Sequence, residues 1–430
     1  MLFRDKKGRL IAGLELGNSI SQLSYCYSDR LEPETFSTIT GKEQFAIPTL
    51  LAKREDVNQW YWGPEALAKE TDEDVVLVKE LVSKALEGVS VPVADEAFSP
   101  ISLLALFIKR TLAQIGFVFG GEASDYLMIT SDDMDVHLIG VLEQVMEEMS
   151  MDRSHFFFQS HAESFYQYVM HQGKELRGHD LLLLDSRNGL SSMRMEMNVA
   201  QSPAVSFMEQ QTHDKSIMEA IPEDDEDRKE VVSARKDEKF LEVLKGLCDG
   251  RIVNAVFLIG DGFGGGWMKE SLRFMCGNKR VFQGNNLYSK GACYGAAEKV
   301  YPSEVTLKNV FLGRDKIRAN VGILAVTDGE EKYLPLFEAG ANWFDIEVYK
   351  EFILEEDAAI KIVITPMNGR EKRQLQMVLE GFPPRPPKAS RISLNLSFED
   401  EEHMKLAVRD MGFGELFKKT DYLVEDVIEI

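Results

Sequence analysis

The chain has little cysteine, too little basic charge to balance its acids, and no long apolar run. Its four cysteines, Cys26, Cys248, Cys276 and Cys293, are scattered over 430 residues. They form no CxxC pair and have no histidine at zinc-finger spacing. That excludes a zinc ribbon and a disulfide framework, and predicts reduced, mostly buried thiols. Lysine and arginine number 49 against 71 acids, a formal charge of −22. Binding a polyanion needs clustered Lys/Arg that outweigh such a field, so nucleic acid and anionic membrane surfaces are excluded as partners. No segment reaches transmembrane length, and Met1–Leu10 is charged and lacks the apolar centre of a signal peptide. The expected compartment is cytoplasmic.

At 430 residues with 44% hydrophobic content, the chain is too long for one core and rich enough for two or more domains. Its organising stretch is the apolar run Leu181–Leu184, ended by Asp185-Ser186-Arg187-Asn188-Gly189. Such a run reads as a buried central strand, and the alternation after Gly189 as its hairpin partner. The N-terminus repeats the design: Leu10–Leu16 is a strand, Gly17-Asn18-Ser19 a tight turn, and Gln22–Tyr27 a returning strand. Each unit carries an acid just ahead of its turn, Glu15 and Asp185. Two such units predict a duplicated lobe.

Taken in order, the chain alternates strands with helices. Strands are expected at Phe45–Ala52, Trp60–Gly63, Tyr126–Thr130, Phe156–Gln159 and Ala255–Gly260. Helices are expected from Pro64 to Lys69, Asp74 to Leu86, Ser102 to Gly116, and up to Met149 behind an N-cap cluster at Ser131–Asp133. Further helices are expected at Ala162–His171, Lys239–Leu247, Trp267–Met275 and Tyr288–Tyr301. The last is rich in small residues, as where a helix approaches another backbone closely. The charge run Glu223–Lys229 reads as a solvated loop. After Pro302, alternating segments at Val321–Val326, Tyr333–Leu336, Trp343–Val348, Ala359–Thr365, Leu375–Leu379, Ile392–Phe398 and Met404–Val408 predict an all-β module. Glu415–Ile430 is the one stretch there that reads as helical. The expected domains are 1–301, α/β, and 302–430, β.

In this order the motifs resemble the seventy-kilodalton heat-shock chaperones of the actin-like ATPase superfamily, over nearly the whole chain. Ile11–Ser19 is similar to the family's first phosphate loop, G-I-D-L-G-T-T, and Lys79 falls on its catalytic lysine. Leu184–Leu190 is similar to the second loop, F-D-L-G-G-G-T, and Val256–Gly264 to the adenosine loop, V-L-V-G-G-S-x-R. Leu379–Pro386 followed by Ile392–Phe398 resembles the peptide-binding sandwich's L-x-G-I-P-P-x-P and I-x-V-x-F. The resemblance implies an actin-like fold with ribonuclease H-like duplicated lobes and a substrate-binding-like β-sandwich, without the family's helical lid. It also implies a site for ATP or ADP with magnesium, built from Gly17, Asn18, Ser19, Lys79, Asp185, Gly189, Gly260 and Gly262. Glu15 and Asp185 would hold the metal through its water, and Lys79 and Glu15 would act in catalysis.

The departures from that pattern are specific. Glu15 replaces an aspartate and Asn18 a threonine. His161 stands where the family has a water-positioning glutamate, and also reads as a satisfied core histidine. Arg187 and Asn188 replace glycines that let backbone amides close on phosphate, and Leu190 replaces a threonine. Arg187 either fills the phosphate space or contacts phosphate as a charge. The segment Val199–Asn254 is too short for the subdomain that clamps adenine. The expectation is a chaperone-like factor that grips a protein or extended peptide at its β-module, with an inactive or weakly nucleotide-binding lobe. The alternatives are an active ATP-dependent chaperone, a non-catalytic assembly scaffold and, more remotely, a sugar-kinase-like enzyme. Pro383–Pro387 reads as a rigid turn between strands rather than a polyproline ligand.

Overall fold

The structure is a computed structural model that describes residues 8–55, 57–119, 124–200, 202–222, 225–327, 329–355, 358–367 and 371–430, with 117–119 described by backbone alone. Residues 1–7 of the charged N-terminal segment, and Glu223 and Asp224 of the charge run, lie outside these. The chain divides into two compact units, Met1–Asn309 and Val310–Ile430.

Two sheets organise the first unit. In one, β1 (Leu10–Glu15), β2 (Ile20–Tyr27), β3 (Arg30–Thr35), β4 (Tyr126–Ser131) and β5 (Phe156–Ser160) run in the order β5-β4-β1-β2-β3. Here β1–β2 and β2–β3 are antiparallel, while β1–β4 and β4–β5 are parallel. In the other, β6 (Asp180–Asp185), β7 (Ser191–Asn198), β8 (Ala204–Thr212), β9 (Val253–Ile259) and β10 (Arg280–Gln283) run β10-β9-β6-β7-β8. Its pairs β6–β7 and β7–β8 are antiparallel, and β6–β9 and β9–β10 parallel. Five strands of each six-stranded sheet thus follow the same order around the two hairpins. The centre of each sheet is dry, because Leu181–Leu184 and all of β1 are buried, as continuous apolar runs require when both faces are covered.

Helices α1 (Pro100–Phe119), α2 (Val136–Met149), α3 (His161–Met170), α4 (Glu226–Cys248) and α5 (Leu287–Val300) pack around these sheets. The small residues of α5 serve close approach. A Cβ on Gly13 of β1 would lie 2.3 Å from Ser289 O, and one on Gly291 would lie 2.0 Å from Ser164 O in α3. Only glycine allows these backbones to meet.

Several expected elements differ. Asp74–Leu86 is not one helix: Val75–Val78 is a strand paired with Leu51–Arg54, and the helix starts at Leu81. Three β-branched valines favour the strand, and Glu80, at φ 58°, breaks the chain from it. The N-cap of α2 is Asp135, which accepts from Leu138 N, not the Ser131–Asp133 cluster. Residues 226–229 of the charge run are helical rather than loop, because Asp225 caps α4 and its first-turn acids face the positive helix end. The helix expected from Trp267 begins at Glu270, where Asp237 accepts from three successive backbone N–H groups at Lys269, Glu270 and Ser271.

The second unit contains two four-stranded antiparallel sheets. One orders β11 (Ala319–Thr327), β12 (Glu330–Phe337), β14 (Ala359–Pro366) and β15 (Arg373–Val378) as β12-β11-β14-β15. The other orders β13 (Val348–Leu354), β16 (Ser390–Phe398), β17 (His403–Asp410) and β18 (Leu423–Glu429) as β13-β16-β17-β18. Their inward residues, among them Ile323, Ile362, Ile364, Leu394, Leu396, Leu406 and Val408, are buried, and the Phe337 and Phe398 rings meet at 5.2 Å. Trp343–Asp345 is a short 3-10 turn, with the expected strand starting later at Val348. Glu415–Ile430 is not helical: its end pairs as β18 along β17, in keeping with the β-branched Val424, Val427 and Ile428.

Candidate functional site

Both sheets end their first strand in a buried acid. Glu15 closes β1 and Asp185 closes β6, with 2% and 8% of their surface exposed. Two carboxylates at such strand ends need a cation or a proton. The cation is Arg187. Its Nε lies 3.0 Å from both Asp185 oxygens, its Nη2 2.7 Å from Oδ2, and its Nη1 donates to Glu15 Oε1. Its backbone N–H also donates to Asp185 Oδ1 at 3.0 Å. This planar fork meets Asp185 with two of its nitrogens while a third reaches Glu15.

Aromatic rings cover the pair. The Arg187 guanidinium sits 5.0 Å over the Tyr288 ring, whose hydroxyl donates to Asp185 Oδ2 at 3.4 Å. His161 stacks on Tyr288 at 4.0 Å, with Nε2 3.4 Å from Glu15 Oε1 and Nδ1 3.8 Å from Asp132 Oδ1. Burial pushes the Glu15 carboxyl above its ordinary range, and the Arg187 charge only partly offsets this. Burial also opposes the Arg187 charge, but Glu15 and Asp185 outweigh it and hold the guanidinium protonated. Burial, then Arg187, keep His161 well below the usual histidine range, so its ring is neutral at pH 7. Glu15 Oε2 and Gln22 Oε1, directly across β1–β2, are buried without a hydrogen-bond partner.

The second sheet's two turns pack on each other. Gly260 has φ +98°, and a Cβ there would meet Ser186 Oγ at 2.5 Å and Arg187 N at 3.1 Å. A Cβ on Gly262 would meet Met218 Cε and Ser186 Oγ, each at 2.8 Å. Gly189, at φ +91°, has the Lys215 stem as its nearest neighbour, at 3.6 Å. The space above these glycines is therefore lined by protein side chains. Magnesium does not fit as the resemblance implies, because the Arg187 guanidinium already bonds both acids.

Residues 32–314, more than half of the chain, match the family described as "Family of unknown function (DUF5716) C-terminal". The chain belongs to that family. Residues 316–430 match "Domain of unknown function (DUF8552)", and no curated protein matches the chain. The DUF5716 match includes Asp185, Arg187, His161 and Tyr288, whereas Glu15 precedes it.

The remaining residues expected at a site in this DUF5716 protein make local contacts. Lys79 Nζ pairs with Glu70 at 2.6 Å on the surface. Asn18 Oδ1 accepts from Ser83 N at 3.1 Å, and Ser19 O accepts from Thr49 N at 2.9 Å. Gly17 makes the tight turn, since a Cβ there would lie 2.4 Å from Ile20 O. The sequence marked Arg187 as a departure but gave no sign of its bond to Glu15, nor of Tyr288 or Met218 as neighbours. In the DUF8552 region, Arg385 of the proline-rich turn forms a buried bidentate pair with Asp410, at 2.8 and 2.6 Å. That turn, which connects β15 to β16, is thereby stapled to the end of β17.

Proposed function

We propose that this DUF5716 protein is a cytoplasmic, chaperone-like protein-binding factor whose actin-like lobes no longer hydrolyse nucleotide. The observation that carries this reading is the single guanidinium of Arg187, bonded to both acids that a magnesium–nucleotide complex would need. Phosphoryl transfer depends on positioned metal and charge, and here that charge is internal. The matching 5-4-1-2-3 strand orders of the two sheets support ribonuclease H-like duplicated lobes. The two antiparallel sheets of the second unit support a sandwich that takes an extended segment by main-chain pairing.

Two titrations of the full chain test the reading. Magnesium with ATP or ADP should give no calorimetric heat at millimolar nucleotide, and a labelled unfolded polypeptide should bind with rising fluorescence anisotropy. Micromolar nucleotide binding favours an active ATP-dependent chaperone instead. Silence toward both favours an assembly scaffold.

A further inference from the structure

We infer that Cys26 and Cys293 are a redox-sensitive thiol pair, which small-molecule disulfides close into a bond that clamps α5 onto β2. The inference does not depend on the proposed function. Cys26 lies in β2 and Cys293 in α5, 3% and 0% exposed, in one apolar cluster with Ile11, Met128 and Ala292. Two rungs join these elements. Ser24 and Ser289 form the first, with their hydroxyl oxygens 2.8 Å apart. Two residues on along β2, and four along α5, stand Cys26 and Cys293. Such same-face positions advance about 7 Å along a strand and about 6 Å along a helix, so the second rung falls in step with the first. The two thiols are accordingly in hydrogen-bond contact, and both are free.

The crossing is close enough for a covalent bond. Gly13 pairs with Ser24 across β1–β2, and a Cβ on it would lie 2.5 Å from Cys293 N. Glycine there lets the backbone of α5 come down onto the sheet, as the short Cα separation across a disulfide demands. Closure balances with a low-molecular-weight disulfide as the oxidant. The thiolate of one cysteine attacks a sulfur of that disulfide and releases one small thiol. The second cysteine, as thiolate, then attacks the mixed disulfide, which forms the Cys26–Cys293 bond and releases the second small thiol. Two electrons pass to the oxidant, and the two thiol protons pass through solvent to the leaving thiolates. Burial, and then the Cys26 contact, push the Cys293 thiol well above its ordinary range. Little thiolate forms and attack needs local opening, so closure answers sustained oxidation rather than a brief pulse. The bond would fix the helix that carries Tyr288 and Glu298.

The probe is oxidised glutathione on the full-length chain, raised until the exposed Cys276 of wild type carries a glutathione adduct. Wild type and a Cys248→Ser/Cys276→Ser variant are then unfolded, alkylated and mapped by mass spectrometry without reduction. The variant should lose about 2 Da, one hydrogen from each thiol, and carry no adduct. Its linked peptide should join Cys26 to Cys293, and dithiothreitol should restore both thiols. The oxidised variant should melt about 5 °C above its reduced form, with slower amide exchange in α5. Two free thiols at Cys26 and Cys293, under conditions that modify Cys276, overturn the inference. So does a stable glutathione adduct on either, or a bond from either to Cys248 in wild type. A linked form that melts below the reduced one overturns the clamp. Where the variant does not fold, the wild-type map decides by the same criteria.

Discussion

Arg187 donates to Glu15 across 172 residues of sequence, so the turn after β6 is tied to the end of β1 through one guanidinium. Both ends of this tie are largely out of water: the Glu15 side chain is 3% exposed and that of Arg187 32%. Breaking a buried pair by removing one partner leaves an uncompensated charge and costs about 3–5 kcal/mol. Arg187→Ala should therefore lower the free energy of unfolding by that amount, seen as a lower denaturant midpoint at unchanged slope. Glu15→Gln should cost a similar amount, and the double variant less than the sum of the two, because they share one interaction. Strict additivity would mean that the pair is not coupled.

The Arg385–Asp410 pair predicts acid sensitivity in the second unit. Burial pushes the Asp410 carboxyl up, but hydrogen bonds from Arg385, Gly412 N and Thr420 outweigh it and hold it down to about 2. Its stabilisation is thus full above the unfolded value of about 4 and is lost as pH falls through about 2. The shift corresponds to about 2 kcal/mol. Asp410→Asn should remove most of that acid dependence between pH 4 and about 2, measured as the slope of stability against pH. An unchanged slope would contradict the assignment.

Glu298 is a second depressed carboxyl, held at about 2: burial raises it, and bonds from His171, Thr306 and Ser303 lower it further. It ties the end of α5 to the segment that follows. Glu298→Gln should speed amide hydrogen exchange at 303–306 and weaken the His171 contact, leaving exchange in β6 unchanged.

The α3–α5 crossing gives a packing prediction. Gly291→Ala would place a methyl group 2.0 Å from a backbone oxygen, with no flexible side chain to yield. About 1–3 kcal/mol of stability should be lost, and more for Gly291→Val. The alanine variant melting with wild type would show that the helices can separate without cost.

Much of this architecture is legible in the sequence because it is written in local patterns. The Leu181–Leu184 run, the acids before each turn and the small residues of α5 each state one local requirement: a dry strand, a tight turn, a close crossing. Errors arise where local preferences compete. Val75–Val78 fits the apolar stripe of a helix running to Leu86, but its β-branched valines and its pairing with Leu51–Arg54 decide for the strand. The acids after Asp225 resemble a solvated run, yet they suit the first turn of a capped helix. The site was legible only by halves. Glu15 and Asp185 stood out by position, but no pattern within either hairpin reveals that Arg187 joins them, because the contact exists only once both sheets are built.

The most direct test of the account is a calorimetric titration of the full-length wild-type protein with ATP and ADP in the presence of magnesium. With Arg187 seated between Glu15 and Asp185, the account predicts no binding heat up to millimolar nucleotide. Saturable binding at micromolar nucleotide, lost in Asp185→Asn, would contradict it.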